Sequence, residues 1–327
     1  NLKLPAGVEL AKRIVAISDV VIENFTVDVI HRLGLDYEVL RKVKPDIIML
    51  SACFGGQSGP YRNFRGQGSV IAALQGFDDL TGWPDRAPAS PGVAFGDHYL
   101  PWVWSTIILA ALRYRRETGK GMFIDGSSFE GCLDVLDTSI ADYSVNGRVL
   151  KRGGNRSATA APHGIYRCKG DDRWVAITVS KDEEWQGMCK TLGDLPWPQD
   201  REFSTAAGRL ARADELDALV EGWTVNQVAE NVMLRLQEAG VAAEVVNNAA
   251  DMHSDPQLAF RGHFWETDEV GMEPFTFEAP SSRLSLTPAT FRRRGPFLGE
   301  HNDYVFLDLL GMSTEEFASL IEQKVIY

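Results

Sequence analysis

The chain alternates between two hydrophobic periods. Leu10, Ile14 and Ile17, with Ala11, form a helical stripe over 6–17, and SDVVIENF reads as a buried strand at 19–23. IHRLGL makes a turn with a short helix. The helix YEVLRKVK follows and stops at Pro45, and DIIMLSACF is the next strand. Such alternation predicts a parallel sheet with right-handed crossovers. Segment 77–92, rich in Pro, Asp and Gly, reads as loop. A helix at 99–116, a strand at 122–125 and a helix at 127–145 complete the first part.

The pattern changes at 146–170, where Gly, Ser, Ala and basic residues predict a linker. WVAITVS is a strand from Trp174. Helices fill 181–238, interrupted by the PWPQD turn, and AAEVVNN reads as a strand before a helix at 248–260. DPQLAFRGHFWE ends in a further strand, and 280–300 is Pro- and Arg-rich coil. NDYVFLDLLG and STEEFASLIEQ form a terminal pair of amphipathic helices, the second opened by a capping box from Ser313 to Glu316.

A length of 327 residues suits two domains, and 44% apolar with 24% charged residues is ordinary for a globular protein. The net charge of -12 argues against a nucleic-acid surface or an anionic membrane as partner. It leaves room for a local basic pocket and an anionic small ligand. The longest apolar run, Leu100–Leu112, falls short of the roughly 20 residues a bilayer requires. No secretory signal is visible at the N-terminus. Four cysteines (Cys53, Cys132, Cys168, Cys189) and six dispersed histidines lack metal-ligand spacing. No metal site is expected, and Cys53 and Cys132 read as reduced core thiols of a cytoplasmic protein.

The densest candidate chemistry lies at GVAFGDHYLPWVW. Asp97 stands at the mouth of a long apolar helix, where free N–H groups and the helix dipole favour a carboxylate that can act as a nucleophile. On residue type alone a plain helix N-cap is the better account, because N-cap Asp is common and catalytic Asp is rare. Asn24 and Phe25 follow a buried strand, where α/β sheets bind ligands. Arg32 and Arg65 are candidate phosphate contacts, and FGGQSGPY at 54–61 is a Gly-rich turn able to cradle an anion. Arg292–Arg294 reads as a solvated loop. Tyr99, Trp102 and Trp104 read as core. His98 adjoins Asp97, yet consecutive residues at a helix start point apart.

Together these segments resemble the family III CoA-transferases, the group of formyl-CoA transferase and carnitine CoA-transferase, with 2-methylacyl-CoA racemase as a relative. The resemblance is carried by SDVVIENF, HRLGLDYEVLRKVKPDIIMLS, FGGQSGPY, GVAFGDH…AALRYRRETGKGMFIDGS, RGGN…APHGIYRCKGDDRWVAI, EAGVAAEVVN, DPQLAFRGHF and LGEHNDYV, in that order. It implies transfer of CoA from an acyl-CoA donor to a carboxylic acid acceptor. By the same resemblance Asp97 is the nucleophile, passing through an acyl-aspartyl anhydride and an aspartyl-CoA thioester. Asn24, Phe25, Arg32 and Arg65 fall at the CoA-holding positions. Gln67, Tyr99 and His98 are candidate substrate contacts. No tightly bound cofactor is implied, since CoA and acyl-CoA are substrates.

Three departures qualify the match. Gly66-Gln67-Gly68 stands where the racemases carry GHD and the transferases often GYD, which removes the racemase's base. Ser157–Ala161 replaces a Gly-rich flap with side-chain-bearing residues, so oxalate and formate are poor substrate choices. The family's first βαβ unit, roughly 70 residues, has no counterpart, so the chain reads as a piece of a longer polypeptide. The expected fold is α/β: a Rossmann-like large CoA-binding domain over 1–145, a linker at 146–170, and a smaller α/β domain over 171–255. A return segment at 256–327 carries C-terminal helices onto the large domain. The resemblance implies an interlocked-ring homodimer. Alternative readings are a racemase-like enzyme, with Asp97 as acid/base, and a non-catalytic partner subunit.

Overall fold

Ile47, Ile48, Met49 and Leu50 are almost wholly removed from solvent. This unbroken apolar run therefore lies at the centre of a parallel sheet with helices on both faces. The computed structural model describes residues 1–267 and 273–327. Three strands, β1 (Val20–Glu23), β2 (Ile48–Cys53) and β3 (Met122–Ser127), are ordered β1-β2-β3 and all parallel. Glu23 pairs with Ser51, Ser51 with Asp125, and Cys53 with Ser127, so the strands finish almost level at their C-terminal ends.

Alternation along β2 divides the two faces. Met49 packs with Val15, Leu35, Leu40 and Ile47, against the helices Pro5–Ile17 and Tyr37–Val43. Leu50 and Ala52 face the long helix Phe95–Thr118. That helix begins four residues earlier than its apolar pattern suggests and ends at Gly119, whose φ of 71° supplies the left-handed cap. Arg115, in its last turn, clamps Asp19 through the side chain at 2.7 Å and the carbonyl at 3.0 Å, tying the helix to the start of β1.

Two local differences from the sequence expectation have clear causes. The helix expected at 127–145 is three short pieces, Ser128–Gly131, Leu133–Leu136 and Asp137–Asn146. At the first break, a Cβ on Gly131 would lie 2.6 Å from Leu100 Cδ2, so the chain there follows the neighbouring helix. The helix Gly68–Gln75 had no apolar stripe to reveal it, because its buried positions are Ala72 and Gln75.

The chain divides into two compact units, Asn1–Arg152 with Pro296–Tyr327, and Gly153–Gly295. In the first, the C-terminal helix Thr314–Glu322 packs Phe317 against Leu10 and Met312. Only half of the Ser313 capping box forms. Ser313 Oγ accepts the Glu316 N–H at 3.1 Å, while the Glu316 carboxylate is drawn to Arg13 at 2.8 Å.

The second unit holds an antiparallel sheet of β4 (His163–Arg167), β5 (Trp174–Thr178) and β6 (Ala242–Val245), in that order. Its core includes Tyr166, Val175, Ile177, Trp185, Met188 and Leu236. β4 lies inside the span expected as linker. Tyr166 is buried while Ile165 is exposed, a strand alternation too short to stand out among the surrounding small residues. Residues 256–295 also belong to this unit. They form the helix Pro256–Phe260 and the hairpin of β7 (Phe264–Glu266) and β8 (Thr276–Glu278).

Candidate functional site

The candidate site gathers where the three parallel strands end, the position at which open α/β sheets bind ligands. Immediately after β1 stands Asn24, and immediately after β3 stands Ser128. Both line a cavity of about 530 Å³ whose opposite wall is the start of the long helix: Gly96, Asp97, Leu100, Pro101, Trp104 and Ser105. Ile22, Leu50 and Ala52 floor it from the sheet. It is mainly apolar, with a few polar groups from three elements, a composition typical of small-molecule sites.

Asp97 is not the helix N-cap. Ala94 occupies that place and offers no side-chain cap, whereas Asp97 is the third residue of the first turn. Its N–H reaches Ala94 O at 2.9 Å, and among the described residues its carboxylate makes no hydrogen bond or ion pair. Pro101 lies four residues on, within the helix. A proline donates no N–H, so the Asp97 carbonyl loses its usual i+4 partner just where the helix lines the cavity.

Packing on the far side fixes the helix start. A Cβ on Gly96 would meet Cys132 Sγ at 3.3 Å, and one on Gly126 would meet Trp104 at 3.2 Å. Cys132 and Cys53 are both buried free thiols. Burial pushes both thiols up, and the charges of Asp97 and Asp125 add to this for Cys132 and Cys53 respectively. Neither is therefore a ready thiolate, and the carboxylates that line this cavity are Glu23, at the end of β1, and Asp97, in the first turn of the long helix.

Asn24 also lines a second, smaller cavity of about 170 Å³, with Phe25, Phe54, Arg62 and Arg65. The turn that presents Asn24 and Phe25 is held by Glu23. Its buried carboxylate accepts the Phe25 N–H at 2.8 Å, while Oε1 has no hydrogen-bond partner among the described residues. Arg62 is already paired with Asp28 at 2.8 Å. Among the described residues Arg65 makes no ion pair or hydrogen bond, which leaves its guanidinium available to an anion.

The other candidates scatter. Arg32 is exposed at the end of the helical turn Val29–Arg32 and lines neither cavity. Gln67 is exposed at the N-cap of the helix Gly68–Gln75 and makes no cap bond. Tyr99 stacks on Phe95 at 5.8 Å, and His98 is exposed outside the cavity lining. The core reading of the aromatic trio holds for Tyr99 and Trp104. It fails for Trp102, which is 70% exposed. Glu23, Pro101, Ser128 and Arg62 line the two cavities without having been singled out from sequence. Only Pro101 carried a readable signal, as a proline one turn beyond Asp97 in an otherwise helical run.

Among the described residues no group of three or more His, Cys, Asp or Glu could hold a metal ion. Among them, too, no helix is long and apolar enough to cross a membrane.

An α/β unit with a cavity at its strand ends is built to bind a small molecule, and comparison with known proteins says of what class. The family model for CoA-transferase family III matches residues 1–302, and the chain belongs to that family. It is 32% identical, over its whole length and 81% of the relative's, to succinyl-CoA–D-citramalate CoA-transferase of Chloroflexus aurantiacus. It is 30% identical to succinate–glutarate CoA-transferase of Agrobacterium fabrum, over 94% of this chain and 77% of that one. A CAIB/BAIF family protein from Brucella suis superposes with a TM-score of 0.87 at 32% identity, covering 95% of this chain and 80% of that one. The protein is a CoA-transferase, and CoA thioesters are its substrates.

Proposed function

We propose that the enzyme moves CoA from an acyl-CoA donor to a carboxylic acid acceptor through covalent intermediates on Asp97. The observation that carries this reading is the placement of Asp97 and Asn24 on one cavity, with Asn24 continuing into the Phe25–Arg65 cavity. A CoA molecule laid along that line puts its thioester at Asp97 and its phosphate-bearing end toward Arg65. Phe25, 42% exposed, offers a ring face to the adenine. Arg32 serves as a further phosphate contact at the rim, and Gln67, Tyr99 and His98 are proposed as outer contacts of the acyl groups.

The chemistry balances without water. An Asp97 carboxylate oxygen attacks the donor thioester carbonyl, the C–S bond breaks, and CoA leaves as thiolate, giving a mixed anhydride. The thiolate then attacks the Asp97 acyl carbon and expels the donor carboxylate, leaving an aspartyl-CoA thioester. An acceptor carboxylate attacks that carbon and releases thiolate once more. The thiolate takes the acceptor acyl group from the new anhydride and frees Asp97. Each step exchanges one activated acyl bond for another, so excluding water protects the intermediates. The apolar walls at Ile22, Leu50, Leu100 and Trp104 suit that task.

The succinyl-CoA relatives make succinyl-CoA the first donor to try and four- or five-carbon dicarboxylic acids the first acceptors. No histidine lines the Asp97 cavity, so the histidine base of the racemases has no counterpart there. The similarity to family structures supports a Rossmann-like identity for the first unit, and the family resemblance an interlocked homodimer in the cytoplasm. The first unit would carry CoA.

Incubation with succinyl-CoA, hydroxylamine trapping and peptide mass mapping test the mechanism. A CoA- or succinyl-derived adduct on the Asp97 peptide is expected. It should vanish in Asp97→Asn, with turnover falling on the order of 10⁴-fold. An adduct elsewhere, or an active Asp97→Asn enzyme, refutes the assignment.

A further inference from the structure

The second unit holds a cavity of about 410 Å³ between the helix Pro256–Phe260, the β7–β8 hairpin and the coil that follows it. None of its lining residues lines the Asp97 or Arg65 cavity. Its polar groups come from Arg261, His263, Ser281, Ser282 and Arg283. Among the described residues no aspartate or glutamate lines it. In a chain of net charge -12, with 45 acidic residues, that composition sets a local positive potential against the field of the whole molecule.

The cavity is held by its surroundings. Gly262, with φ of 56°, makes a left-handed turn that lets Arg261 and His263 line the same space. The Ala279 N–H reaches His263 O at 2.6 Å, and Arg261 Nη2 donates to Ser281 O at 3.3 Å, so the helix end is tied to the coil. Trp265 packs edge-on against Phe277 at 6.0 Å, and Phe277 against Phe291 at 4.9 Å, which braces the hairpin. Arg261 commits one donor to that long bond and forms no ion pair among the described residues. Arg283 makes neither a hydrogen bond nor an ion pair among them. A guanidinium presents a fork of donors, so nearly all of this capacity is unused.

We infer that this cavity is an oxyanion-binding site of the second unit, in which Arg261 and Arg283 supply the charge, Ser281, Ser282 and His263 supply further donors, and Trp265 offers apolar surface to a short carbon skeleton. Its volume is that of a small-molecule site. Guanidinium groups pair with carboxylate and phosphate oxygens in the same forked geometry. A small dicarboxylate and a phosphate therefore share the chemistry that the cavity reads.

The test is equilibrium dialysis of the full-length protein, with radiolabelled inorganic phosphate in one arm and radiolabelled succinate in the other. CoA is kept saturating, so that an anion sharing the CoA site is displaced. Wild type is compared with Arg261→Gln, Arg283→Gln and Arg293→Gln. The last removes the same charge from an exposed arginine of the following coil that does not line the cavity. At least one anion should bind. Its affinity should fall about tenfold to a hundredfold in Arg261→Gln and in Arg283→Gln. It should change by less than about threefold in Arg293→Gln. Binding in one arm alone identifies the source as phosphate or dicarboxylate, and binding in both shows a site that reads the oxyanion itself.

No binding of either anion up to about 10 mM overturns the inference. Equal weakening in all three variants also overturns it, because net charge and not the cavity would then hold the anion. An anion whose binding Arg261→Gln or Arg283→Gln leaves unweakened is held elsewhere, and if that is true of both anions the site does not exist. Arg283 has no hydrogen bond or ion pair to lose among the described residues, so Arg283→Gln decides if Arg261→Gln does not fold.

Discussion

Arg209 is wholly buried in the second unit, an unusual place for a guanidinium. Every direction of its fork is used: Nε donates to Ala161 O at 2.9 Å, Nη1 to Phe203 O at 3.0 Å, and Nη2 to Asp182 at 3.0 Å, with Trp185 beneath it at 5.2 Å. Removing a buried, fully paired charge leaves carbonyls unsatisfied and a hole beside Trp185. Arg209→Ala should destabilise this unit by about 3–5 kcal/mol, read as a lower urea midpoint. Arg209→Lys should recover only part, since an ammonium cannot reach three diverging acceptors. Nothing in the sequence separates Arg209 from the exposed arginines around it. Its burial is decided by the elements that close over it. Asp97 is the opposite case, since its place before a long apolar run was readable, though its position three residues into the helix was not.

At the scale of elements, the helix Phe95–Thr118 carries an internal proline and still runs for 24 residues. Tertiary contacts compensate: Leu100 and Trp104 pack on Gly131 and Gly126, and Arg115 is clamped to Asp19. Pro101→Ala restores one backbone donor and relieves the ring's conflict with the preceding turn. It should raise the stability of the first unit by about 1 kcal/mol, less than the roughly 3 kcal/mol seen for a proline in an unsupported helix interior. A thermal melt checks this, and an unchanged or lower melting temperature would show the helix already broken at that point. The period-based reading worked where one face is continuously apolar, as in β2. It failed for Gly68–Gln75 and for 128–146, where small residues and close helix contacts replace the stripe.

At the scale of the whole molecule, the surface of the second unit depends on acids held by specific donors. The Glu202 N–H, then Arg212, hold Asp200 below the usual carboxylate range. The Asn248 N–H, then Arg173, do the same for Asp251. The unfolded chain takes up protons at these sites more readily than the folded one. Their stabilising contribution is therefore present above pH 3.8 and is lost as pH falls below it. Melts recorded from about pH 6 to about pH 3 should show the loss concentrated below about pH 4. Asp200→Asn with Asp251→Asn should flatten that fall, and an identical acid limb in the double variant would place the sensitivity elsewhere.

Sequence by itself determined the α/β class, the central strand, the placement of a carboxylate at a helix mouth, and the family, because each is written in local period, composition or an ordered series of segments. Tertiary structure alone decided that Asn24 and Asp97 share a cavity, since the elements carrying them lie more than seventy positions apart in the chain and meet only when the strands pair in register.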